Sequence, residues 1–160
     1  MPKLEYFVPV NAPLQTIWNV LLDRVEHPDR YMQGVDSFSF VESTESFAVR
    51  EILIQGFPLR ERITIDERLG EVRYQLVEHP LFQGDVYNAL IPPAQDDPKA
   101  TPVVQFRMNW QPLNEEGQAV DVEGRAVLEE SLKHAVHYVK DLAEHMERTR
   151  EQAQTSAAKP

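Results

Sequence analysis

One long amphipathic helix near the C-terminus of an otherwise strand-rich chain narrows the folds open to this sequence. From Asp121 to about Arg150, apolar side chains recur at Leu128, Leu132, Ala135, Val136, Val139, Leu142, Ala143 and Met146. They form a single stripe at helical period. At 1.5 Å per residue such a helix is roughly 45 Å long, about as long as a small domain is wide. The rest of the chain offers few helices to cover that stripe, so it has to lie against a sheet. A curved sheet closed by one long helix encloses an interior. The class of function this implies is the holding of an apolar ligand.

The remainder reads as strands. Leu4 to Val10 alternates as a first strand, and Asn11 is placed to cap a helix whose apolar positions are Leu14, Ile17, Trp18, Leu21 and Leu22. Pro28 ends that helix, and Asp29 to Gln33 forms a second short one before Gly34. Six strand-like runs follow, at about Ser37–Glu42, Phe47–Ile54, Leu59–Asp66, Glu71–Val77, Phe82–Ile91 and Val103–Gln111. The turn groups between them, Gln55-Gly56 among them, are too short for helical crossovers, so an antiparallel meander is expected. Pro92 to Pro102 is a proline-rich surface loop, and Asn114-Glu115-Glu116-Gly117 is the turn into the long helix, with Asp121 as its cap. Residues 1–150 make one domain, and 151–160, small and polar, make a disordered tail.

Strand, short helix pair, six-strand meander and long helix: that order resembles the START and birch-pollen-allergen superfamily. The likeness covers about Lys3 to Arg148. Its opening is Val8-Pro9-Val10-Asn11-Ala12-Pro13 with Ile17-Trp18 following. The stretches Pro58–Arg62, Tyr87–Leu90 and Phe106–Trp110 are similar to the central strands of one branch, the acetylaranotin biosynthesis cluster protein L-like proteins. The resemblance implies the α+β helix-grip fold. In that fold a curved antiparallel sheet of about seven strands wraps one long C-terminal helix, with two short helices after the first strand.

A charge of −10, with no basic stripe to offset it, repels phosphate backbones and anionic membranes alike. Nucleic acid is therefore not an expected partner. No 18-residue apolar stretch exists and the chain does not open on an apolar run, so the reading is a soluble, cytoplasmic protein without membrane insertion. There is no cysteine to support a disulfide, a thiolate metal site or a cysteine nucleophile.

Strand parity selects the side chains that face the interior. Phe106, Met108 and Trp110 share one face of the last strand, Phe38 and Phe40 one face of the second, and Tyr74 lies with Val72 and Leu76 on the fifth. On the fourth, Leu59, Glu61, Ile63 and Ile65 fall together, which aims the Glu61 carboxylate inward. A buried charge needs a partner or a shifted pKa, so Glu61 is the catalytic candidate, against the plainer reading of a rim position or a salt bridge to a neighbouring arginine. Asn88 is a second polar candidate, although periodicity leaves the inward face of its strand open. Leu128, Leu132 and Gly124 complete the expected lining; Gly124, which has no side chain, marks either an open space beside the cavity, and so a mouth near the helix start, or a poorly formed first turn after Asp121. His134, His137, Asp141 and His145 have suggestive spacing but lie away from the apolar stripe, so no metal site is expected. No cofactor motif is present.

Three functions fit these readings. The first is a module that binds a small apolar or amphipathic molecule. The second, implied by the resemblance, is an enzyme of the polyketide cyclase or aromatase kind, with Glu61 assisted by Tyr74 or Asn88. The third is an interaction protein with a closed core.

Overall fold

The computed structural model describes residues 3–97 and 99–158. Among these residues nine strands and three helices follow one another as β1 (Leu4–Pro9), α1 (Leu14–Glu26), α2 (Pro28–Tyr31), β2 (Val35–Ser43), β3 (Phe47–Ile54), β4 (Phe57–Asp66), β5 (Glu71–Glu78), β6 (Phe82–Gln83), β7 (Asp85–Ile91), β8 (Val103–Met108), β9 (Gln111–Pro112) and α3 (Glu115–Ala158). Seven strands form one antiparallel sheet in the order β1-β8-β7-β5-β4-β3-β2. The expected meander runs through its middle. The β1–β2 connection carries α1 and α2 from one edge of the sheet to the other.

The interior face follows from the pairing register. Ala48, Arg50 and Ile52 of β3 lie opposite Ile63, Glu61 and Leu59 of β4. Glu61, Ile63 and Ile65 in turn lie opposite Leu76, Tyr74 and Val72 of β5. Against this face pack α1, through Ile17 and Leu21, and α3, through Val136 and Val139, all four fully buried. The helix stripe seals the core from Leu132 to Ala143; Leu128 is half-buried and Met146 is 43% exposed. Burying such side chains is the main favourable term, at ~1.5–3 kcal/mol each.

Several boundaries differ from those expected, each for a local reason. Asn114 is the cap of α3, its Oδ1 accepting from the Gly117 N–H at 2.8 Å, so Asn114–Gly117 opens the helix rather than preceding it. Asp121 is thus two turns inside, buried, with Arg125 at 3.6 Å. At the other end α3 passes the expected stop near Arg150 and continues to Ala158, because the stretch from Glu151 to Ala158 contains no Pro or Gly to stop it; residues 159 and 160 lie outside the described ones. Asn11 does not cap α1. Pro13 takes the cap position, and the Asn11 backbone N–H donates instead to Glu144. The run expected over Phe82–Ile91 breaks at Gly84, whose φ of 128° interrupts the pleat. The run over Val103–Gln111 breaks at Asn109-Trp110, and the two displaced ends pair with each other as β6 and β9. Trp110 therefore leaves the β8 face and packs on a separate cluster of Leu76, Leu81 and Phe82.

No helix among the described residues is long and apolar enough to cross a membrane.

Candidate ligand site

Glu61 does point inward, and it has a partner. Arg50 lies directly across the β3–β4 ladder, and its Nη2 donates to Glu61 Oε2 at 2.7 Å, the two side chains being 2% and 12% exposed. The other guanidinium nitrogen, Nη1, donates to the Val25 carbonyl on α1 at 2.8 Å. The guanidinium carbon sits 5.5 Å from the centroid of the Tyr74 ring. Between the sheet and α1, Arg50 thus acts as a tie with a carboxylate on one side and a backbone oxygen on the other.

A second arginine comes from the helix. Arg24 reaches over the face of Phe106, its guanidinium carbon 5.2 Å from the ring centroid. Its Nε and Nη1 are buried without a hydrogen-bond partner, and it makes no ion pair among the described residues. Burial lowers its pKa, the repulsion of Arg50 adds to that, and the proximity of Tyr74 and Glu61 opposes it. The one carboxylate that acts on it, Glu61, is already engaged by Arg50.

The polar set is completed by Tyr74 and Asn88. Burial raises the Tyr74 phenol's pKa, against the pull of the two nearby guanidinium charges, so it remains a neutral hydroxyl. The Arg24 guanidinium lies within hydrogen-bonding reach of its oxygen, at a geometry too poor for a full hydrogen bond, and no acceptor takes its proton. The register settles the face of β7: Asn88 pairs with Val72 on one side and Phe106 on the other, so it faces inward with them. It is fully buried, and neither end of its amide is hydrogen-bonded.

Of the remaining expected residues, Ile63, Phe106 and Leu132 are buried in the main core, and Met108 and Leu128 are half-buried. Phe38 and Phe40 pack edge to face on the edge strand β2, with Phe40 37% exposed. Phe38 borders an open groove of about 880 Å³ that crosses the end of β2–β5, where Arg60 bridges Glu51 and Glu78. Phe40 borders another of about 710 Å³ between α1 and the β2–β3 turn, with Trp18, Leu22, Val25, Ala48 and Ile65. Gly124 faces open space: a Cβ built there meets nothing within 4 Å. His134, His137, Asp141 and His145 are exposed on the outer side of α3, where the His137 Nε2 lies 3.3 Å from the Tyr6 hydroxyl.

Arg24 and Arg50 are the polar residues that the sequence reading did not single out. Both carried a signal. Arg24 stands at i+7 from Ile17 and i+3 from Leu21, in line with the apolar stripe of α1.

No protein-family model matches the chain, and no curated protein is similar to it. Solved structures are. The chain superposes on the Zhui aromatase/cyclase of a Streptomyces species with a TM-score of 0.68 at 18% identity, covering 89% of this chain and 93% of that one. A START superfamily protein from Mycobacterium smegmatis aligns with a TM-score of 0.59 at 16% identity, over 88% and 98% of the two chains. The di-domain aromatase/cyclase StfQ of the steffimycin biosynthetic pathway aligns with a TM-score of 0.70 at 14% identity, over 90% of this chain and 51% of that one. The chain has the helix-grip fold. At these identities the likeness extends to the fold alone, and the chemistry has to be argued from the side chains.

Proposed function

We propose that the protein is a START-like binding module that holds a small, largely apolar molecule against the concave face of its sheet. The observation that carries this reading is Asn88. A side chain with two hydrogen-bonding ends, fully buried and unpaired at both, is costly in a core that only has to be filled. An apolar residue of similar size would pack there without that cost. The Tyr74 hydroxyl one diagonal step away, with the Arg24 guanidinium beside it and no acceptor for its proton, repeats the pattern, and apolar surroundings with a few convergent polar groups are the usual make-up of a small-molecule site.

A specific arrangement supports a second reading, an enzyme of the cyclase or aromatase kind. Hydrogen-bond donors that converge without acceptors stabilise an oxyanion as it develops on a substrate, and Tyr74 lies close to two guanidinium groups. Glu61, the base candidate, is engaged by Arg50, which favours a positioning role for it.

Native mass spectrometry of the protein as purified from cells, followed by extraction, tests the binding reading. The expected result is a retained small molecule that dissociates on denaturation. A protein that emerges ligand-free and takes up no apolar probe would instead be the closed-core interaction protein.

A further inference from the structure

The free hydrogen-bonding groups of the interior are not balanced. Around Tyr74 and Asn88, the buried atoms that make no hydrogen bond of good geometry are Arg24 Nε and Nη1, Arg50 Nε, the Tyr74 hydroxyl, which has only the Arg24 guanidinium beside it, and Asn88 Nδ2, all of which carry hydrogens to donate. Only Asn88 Oδ1 among these atoms is an obligatory acceptor. The charges are unbalanced in the same sense. Arg50 and Glu61 neutralise one another at 2.7 Å, which leaves the Arg24 guanidinium without a counter-charge.

Water hydrogen-bonds such donors but leaves the charge uncompensated, and although Arg24 as a whole is half-buried, its Nε and Nη1 are cut off from solvent, which is costly for a cation without a counter-charge. An amine or other cation would add to the repulsion. A planar anion with two oxygens meets both needs at once, because guanidinium groups pair with carboxylates through parallel N–H···O bonds. The groups around it are apolar: the Phe106 ring under Arg24, with Val72 and Ile63 fully buried nearby on the same face. The overall charge of −10 does not oppose this, since surface charges more than about 10 Å away are largely screened at ordinary ionic strength.

We infer that the molecule held in this interior is an apolar carboxylate, with its oxygens on the free donors of Arg24, Arg50, Tyr74 and Asn88 and its apolar body against Phe106. The inference rests on the binding reading above and adds the class of ligand.

A matched pair of probes separates the two. Isothermal titration with 2-naphthoate and with 2-naphthylmethanol compares the same aromatic body with and without the anion. The carboxylate should bind at least roughly tenfold more tightly, the usual scale of a charge-assisted contact. Arg24→Gln should remove that preference, Arg24→Lys should keep part of it, and Tyr74→Phe, which leaves the ring in place, should reduce it several-fold. Circular dichroism checks that each variant is folded. Equal binding of acid and alcohol to the unaltered protein would overturn the inference while leaving the binding reading in place. So would a preference that survives both Arg24→Gln and Tyr74→Phe in folded protein. Failure of both probes to bind would count against both.

Discussion

The Arg50–Glu61 pair joins the strand register to the stability of the interior. Gln55 and Gly56 both have positive φ, 50° and 82°, which is the two-residue turn that matches the twist of a hairpin. Such a turn fixes the pairing: Ile54 faces Phe57, so Arg50 faces Glu61. The sequence alone allowed this count, because the Gln55-Gly56 turn and the inward face of β4 were both readable. What concealed Arg50 was β3 itself, where each face carries three apolar residues and one charge, so alternation does not favour either. With Arg50 2% and Glu61 12% exposed, neither member of the pair tolerates the loss of the other. Arg50→Met or Glu61→Leu alone should cost ~3–5 kcal/mol in urea unfolding, while the double substitution should return to within about 1 kcal/mol of the starting protein or exceed it. Strictly additive losses in that cycle would show that the two side chains do not depend on each other.

At the scale of elements, the type and order of strands and helices were legible, and their interruptions were not. Period-2 patterning carries straight through Gly84 and through Asn109, yet both strands break there. The reason is a contact between the two breaks: the Asp85 N–H donates to Asn109 Oδ1 at 2.7 Å and the Asn109 N–H to the Asp85 carbonyl at 3.0 Å. A Cβ on Gly84 would stand 2.5 Å from the Asn109 oxygen. Gly117, in the first turn of α3, is held as closely, with a Cβ falling 2.3 Å from the Leu81 carbonyl. Gly124 is a different case, since it sits in mid-helix with nothing to meet. Gly124→Ala should therefore raise stability by about 1 kcal/mol, the difference in helix propensity between the two residues. A measured loss in chemical denaturation would mean that the space beside α3 is not free. That Gly124 falls in line with Leu128 could be read from the helical count; the openness around it depends on what packs beside α3, which no local pattern contains.

The fold closes where its first strand meets its last helix. β1 is an edge strand on β8, α3 packs against both β1 and α1, and Glu144 joins these parts at one point. Its Oε2 accepts from the Asn11 backbone N–H at 2.8 Å, between β1 and α1, and from Lys140 Nζ at 2.6 Å on its own helix. Burial of this side chain, 16% exposed, acts to raise the carboxyl pKa, but the two hydrogen bonds and the charges of Lys140 and Arg148 outweigh it and hold the group below its ordinary value. A carboxylate whose folded pKa is depressed adds stability at any pH above its unfolded pKa, and loses it as pH falls through the lower, folded one. Glu144→Gln keeps the shape but removes the charge, so it should cost about 1 kcal/mol at neutral pH. The gap between variant and parent should stay constant down to about pH 5 and close below about pH 4, near and below the unfolded carboxylate value. Urea midpoints of both proteins from pH 7 to pH 3 measure that gap. A difference that persists unchanged at pH 3 would mean that Glu144 closes the grip by its packing and neutral hydrogen bonds, and that its charge contributes nothing.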